Sequence, residues 1–171
     1  LESGSKKKIP PVPSRKPEYS ANNLLEKGKK QIDYSKYGPG FSKELIDEME
    51  NDKEFQDAVS IVLNIEKGYV NDETDPGGET KYGIAKKWHP KEDIKNMTKE
   101  RAKMIYYNKY WKLNNAHTLP KDIRKAVFIN GTNIGPERSI GYLQELLGIV
   151  PPTYYVGNIT RERALKADKK E

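Results

Sequence analysis

Glu66, Asp75 and Thr80 are the residues of this chain whose types and spacing best suit chemistry. They fall within I-E-K-G-Y-V-N-D-E-T-D-P-G-G-E-T-K-Y-G-I, residues 65–84, with the aspartate nine positions after the glutamate and the threonine five further on. Glu66 follows Val62 by four positions and Leu63 by three, so on a helix it projects from the face they bury. Removal from water disfavours the charged carboxyl and raises its pKa from about 4.3, leaving an acid able to protonate a glycosidic oxygen near neutrality. Asp75, in the polar turn Asp75-Pro76-Gly77-Gly78, is suited to be the ionised partner that stabilises oxocarbenium charge or handles water, and Thr80 to place that water. Two plainer readings stay open: Glu66 as a solvated helix-end glutamate beside Lys67, and Asp75 as an Asx turn.

Other candidates are fewer. Asn71, Asp72 and Asp75 do not follow the spacing of an EF-hand loop, so no metal site is expected, and nothing in the chain calls for a cofactor. Tyr69 and Tyr82 flank the loop and are the aromatics best placed to line a cleft, with a core position as the alternative. Tyr106, Tyr110 and Trp111 lie at helical spacing and read as core. Asn133 is either a substrate contact, since an N-acetyl group suits an amide partner, or the cap of a helix that starts at Pro136. His89 and His117 share no catalytic motif.

The elements that would position these groups are mainly helical. Phe41–Glu50 is amphipathic. Asp52 can cap a helix to about Glu66, with Phe55, Ala58, Val59, Val62 and Leu63 inward. Val70–Ile84 is too rich in Asn, Asp, Gly and Pro for a helix and reads as a turn-laden loop or small hairpin. Thr98 can cap a helix through about Trp111. Pro120–Ile134 reads as a helix interrupted near Gly131. Pro136 suits the first position of a helix ending at Gly148, and Thr160 can cap a last short one.

The 171 residues include no cysteine, which excludes disulfides, thiolate metal sites and cysteine nucleophiles. No run approaches the roughly 18 apolar residues of a membrane span. No secretory signal is evident behind Leu1, and without an initiator methionine the chain is expected to be a processed or partial one. Residues 1–40 hold nine Lys/Arg against four Asp/Glu and five of the eleven prolines, whereas residues 41–171 hold 22 against 21. The body is therefore near neutral, which argues against nucleic acid as a partner. Residues 1–40 read as a basic arm, with I-P-P-V-P-S-R-K-P extended and a thin helical stretch at 22–32. The arm is either a solvated linker or a segment held by its own domain or by a partner chain.

Residues 66–72 and 75–84 together resemble the signature of glycoside hydrolase family 108, N-acetylmuramidases of phages and bacteria with a lysozyme-like helical fold. Tyr106, Tyr110-Trp111, Leu119-Pro120, Val127-Phe128, Asn133-x-Gly135-Pro136 and Leu143-Gln144-x4-Gly148 extend the resemblance over about residues 54–165. Lys67 stands where the family usually has glycine, Ile129 where an aspartate commonly follows Val-Phe, and Thr153–Gly157 where an Asp-Gly turn is usual.

The resemblance implies a mainly α, lysozyme-like domain over 41–171 with a small β-hairpin or loop lobe. Its catalytic part would be 41–135, and 136–171 a helical part for peptidoglycan binding. It implies hydrolysis of the β-1,4 bond between N-acetylmuramic acid and N-acetylglucosamine, with Glu66, Asp75 and Thr80 catalytic. The setting it implies is a phage lysis or virion enzyme, reaching the wall from the virion or the host cytoplasm, with other virion proteins as partners of residues 1–40. A lytic transglycosylase, or a degenerate lysozyme domain acting in virion assembly, are the rival expectations.

Overall fold

The computed structural model describes residues 31–65, 68–71 and 77–169. Glu66, Lys67, Asp72 and Asp75, and the arm before residue 31 with most of its thin helical stretch, lie outside the described residues.

The chain is mainly α with a small sheet, as expected. Its α-helices are α1 (Lys43–Asn51), α2 (Lys53–Ile65), α3 (Lys99–Tyr106), α4 (Lys121–Ile134), α5 (Pro136–Leu146) and α6 (Asn158–Asp168). Between α2 and α3 lie β1 (Tyr69–Val70), β2 (Thr80–Lys81) and β3 (Ile84–Ala85), an antiparallel sheet in the order β1-β2-β3. No described helix is long and apolar enough to cross a membrane.

Helix starts follow their capping residues. Ser42 Oγ accepts from Leu45 N, and Thr98 Oγ1 from Arg101 N. Asp52 joins α1 to α2. Its N–H donates to the Glu48 carbonyl, its Oδ1 accepts from Phe55 N at 3.0 Å, and its Oδ2 accepts from the Trp111 indole at 2.9 Å. Apolar residues of α2 at positions 55, 58, 59, 62 and 63 are all buried, the period of a helix with one inward face. They meet an aromatic core in which Phe55 packs edge-on against Tyr107, Trp111 and Phe128, and Tyr106 edge-on against Phe128. Tyr106, Tyr107 and Trp111 can all face inward because Tyr107–Trp111 is a π-helical turn that shifts the register after α3.

Two expectations about helix ends are corrected. Helix α4 runs through Gly131 without interruption: a Cβ there would stand 3.1 Å from Pro136 Cα, so the glycine is a packing contact with α5. Thr160 lies inside α6, whose preceding residue is Gly157, and its hydroxyl is spent on the fully buried Gln144. The Gln144 amide also binds Thr153, Tyr154 and Tyr155, fixing the 153–157 loop to α5. A cluster of Ala116, Leu119, Val127, Ile140, Val156 and Ala164 joins α4, α5 and α6.

Residues Asp33–Gly40, which on composition belong with the arm, are packed on the body. Tyr37 is buried and its hydroxyl donates to Glu50 at 2.7 Å; Tyr34 donates to Asp47. The Arg101 guanidinium donates to the carbonyls of Tyr37 and Pro39 while gripping both oxygens of Glu92.

Candidate active site

A groove opens at the C-terminal end of α2. Ile61, Val62 and Ile65 form one side of it, Gly83 and Tyr106 a second, and Ile129, Thr132 and Asn133 of α4 a third. It is shallow and open to solvent, with a cavity volume of about 70 Å³, below the roughly 300–1,000 Å³ of small-molecule sites. The eight lining residues that are described are uncharged.

The sheet brings its hairpin to this groove. Lys81 pairs with Ile84, leaving Tyr82-Gly83 as a two-residue turn with φ of 53° and 76°. Positive φ at both positions is the type I′ geometry that matches strand twist. Glycine accepts it freely and tyrosine does not. The Tyr82 carbonyl is held by the Tyr106 hydroxyl, which donates at 2.8 Å, so the core aromatic pins the strained turn beside the groove.

Thr80 sits in β2, half-buried, opposite Val70 of β1 and Ala85 of β3, with its Oγ1 3.4 Å from the Gly78 carbonyl. Tyr69 lies in β1 opposite Lys81, and its hydroxyl donates to Glu79 Oε1 at 2.8 Å, which raises its pKa. The Tyr82 ring carries the Lys81 ammonium 5.6 Å from its centroid. Neither tyrosine is among the groove's lining residues, though Gly83, next to Tyr82, is. Asn133 is. Its Nδ2 donates to the Ile129 carbonyl one turn back, and it lies inside α4, so capping of α5 is excluded; Gly135 precedes that helix. Catalytic candidates Glu66 and Asp75 are outside the described residues, the former directly after Ile65 in the chain.

Sequence reasoning missed Tyr106, assigned to core alone, and Ile129 and Thr132 as lining residues. The usable signal was the i, i+3, i+4 spacing of Ile129, Thr132 and Asn133, which places them on one face of α4.

Elsewhere His89, 5% exposed, has its pKa pushed down to about 4 by burial and then by the Lys109 charge, with Glu92 opposing. Its Nε2 is 3.4 Å from the Tyr110 hydroxyl and its Nδ1 3.4 Å from Lys109 Nζ. No group of three or more potential metal ligands occurs among the described residues.

Comparison with curated proteins finds no match. Among solved structures, that of Brucella abortus SagA is similar at 31% identity and a TM-score of 0.58, over 66% of this chain and 68% of that one. The family model described as Glycosyl hydrolase 108 matches residues 59–135, a stretch that contains all eight residues around the groove. The fold is thus lysozyme-like, and the chain belongs to glycosyl hydrolase family 108.

Proposed function

We propose that the protein hydrolyses peptidoglycan at the β-1,4 bond between N-acetylmuramic acid and N-acetylglucosamine, with Glu66 as the general acid. The carrying observation is the groove at the end of α2, one residue before Glu66, whose described lining residues are uncharged. The apolar side chains of Ile61, Ile65 and Ile129 suit a sugar's acetyl methyl, and the Asn133 amide its polar end. A proton held on Glu66 in that environment is delivered to the departing glycosidic oxygen as the C–O bond breaks. Asp75 stabilises the oxocarbenium charge or deprotonates the attacking water, and Thr80 orients that water. The outcome at the anomeric carbon follows from the separation of the two carboxyls.

The family setting supports a phage lysis or virion enzyme, with residues 1–40 as the segment that engages other virion proteins. Residues 41–135 are proposed as the catalytic part and 136–171 as a wall-binding part.

Clearing of a purified peptidoglycan suspension tests the assignment. Wild type should clear it, and Glu66→Gln should be slower by about 10²–10⁴-fold, the usual worth of a positioned general acid. An inert wild type, or a mutant that clears equally fast, refutes it.

A further inference from the structure

The segment from Lys81 to Lys95 carries five lysines against Glu92 and Asp93, while the rest of residues 41–171 is net −2. Residues 99–112 are also basic, with five Lys/Arg against Glu100, but there Arg101, Lys103 and Lys112 are paired with carboxylates; the lysines of 81–95 stand on the sheet's last hairpin and the turns after it. These turns are tied together. Lys81 Nζ donates to the Lys95 carbonyl at 2.9 Å and Lys86 Nζ to the Glu92 carbonyl at 2.7 Å. None of the five ammonium groups is in an ion pair with a described carboxylate, whereas Glu92 is taken up by Arg101. Lys87, Lys91 and Lys95 are exposed.

Amid this charge stands Trp88, 71% exposed, with the Lys87 ammonium 5.1 Å from its ring centroid. Leu146, Val150 and Ile65 are at least as exposed, so exposure alone says little; what marks Trp88 is a flat aromatic ring set among lysines. Its position is not a matter of a loose loop. Ile84, His89 and Ile94 on either side are buried, and Trp88 N and Glu92 N are bonded to the Ala85 and His89 carbonyls. The fold holds the ring outward.

We infer that the Trp88 face, with Lys87, Lys91 and Lys95, is a docking surface for the peptidoglycan strand outside the groove: the indole takes the flat face of a sugar and the lysines take carboxylates of the stem peptides. This rests on the peptidoglycan reading of the groove. Glycan is favoured over nucleic acid because the surface is continuous with the hairpin whose turn residue Gly83 lines the groove, so one polymer can lie on both. Stem-peptide carboxylates recur along that polymer and match the sign of the patch.

The test is co-sedimentation of the full chain at 4 °C with sacculi free of teichoic acid, native or with their carboxyls amidated. The variants are Trp88→Ala and Lys87→Glu/Lys91→Glu/Lys95→Glu, with Lys87→Arg/Lys91→Arg/Lys95→Arg as the charge-preserving control. Three reversed surface charges should weaken binding to native wall about tenfold or more, and raised salt should weaken wild type likewise. Trp88→Ala should lose several-fold, the arginine variant should bind normally, and amidated wall should bind wild type as weakly as native wall binds the glutamate variant. Cleavage of a short peptide-free glycan should stay within twofold of wild type in every variant, which separates this proposal from the catalytic one. Unchanged binding by the glutamate variant, full binding to amidated wall, or equal affinity for duplex DNA would each overturn it. If the glutamate variant fails to fold by circular dichroism, the amidated wall decides the matter with wild type alone.

Discussion

Asn133 and His89 show what single side chains do in this fold. Asn133 is the only amide side chain among the residues lining the groove that are described, and its Oδ1 is left for a ligand once Nδ2 has met the Ile129 carbonyl. Asn133→Ala is expected to raise KM for peptidoglycan fragments about three- to thirtyfold with a smaller change in kcat, as fits loss of one or two binding hydrogen bonds. A fall in kcat at constant KM in steady-state assays would instead place Asn133 in the chemical step. His89 acts through burial. Its folded pKa of about 4 lies below the ordinary imidazole value of 6.5, so protons prefer the unfolded chain at intermediate pH. Its contribution is present above about 6.5 and is lost as pH falls towards 4, on the order of 1–2 kcal/mol after allowance for solvent screening. Glu92, held below the usual carboxylate range first by its hydrogen bond to Arg101, adds a loss at still lower pH. Thermal melts at pH 7 and pH 5 should therefore converge more closely for His89→Gln than for wild type. Parallel pH profiles for the two proteins would remove His89 from the account.

At the scale of elements, several helix starts were legible because capping is local: Asp52, Thr98 and Pro136 stand where hydrogen bonding or ring geometry requires them. What was not legible depended on partners distant in sequence. Gly131 carries the composition of a break, and only the approach of Pro136 shows it to be a contact surface. Thr160 has the chemistry of a cap, yet Gln144, sixteen residues away, uses its hydroxyl. The π-turn at Tyr107–Trp111 has no period of its own to read, and it buries both Tyr107 and Trp111. Asp52 illustrates a residue half legible: the cap on α2 follows from sequence, the indole of Trp111 does not. Asp52→Ala should accordingly cost more than a cap alone, about 2–4 kcal/mol in urea denaturation, from the lost cap and the stranded buried indole N–H. A cost under about 1 kcal/mol, the ordinary value of a cap, would show that the indole finds another partner.

For the molecule as a whole, charge and burial divide the work. The spacing of Glu66, Asp75 and Thr80, the mainly α class and the small sheet could be read from the chain; the groove's walls could not, because they come from α2, the β2–β3 turn and α4, about seventy residues apart. Composition assigned Asp33–Gly40 to a basic arm, since prolines and lysines outweigh its few anchors, but Tyr37 and the carbonyls of Tyr37 and Pro39 are bound. Arg101 joins that segment, α3 and the turn bearing Glu92, with Phe41 under its guanidinium at 4.7 Å. Arg101→Ala leaves the half-buried Glu92 unpaired and frees the segment, so trypsin should cut after Lys36 about tenfold faster or more. Cleavage at the wild-type rate would mean that the Tyr37 and Tyr34 contacts suffice.

The proposed role of Glu66 as general acid is reported by the ends of the cleaved glycan. Mass spectrometry of purified peptidoglycan digested by wild type should show new reducing N-acetylmuramic acid ends, with incorporation of ¹⁸O from labelled water, and none above background with Glu66→Gln. Unchanged release by the mutant would contradict the assignment, and 1,6-anhydro-muramic ends without label would show that water is not the acceptor.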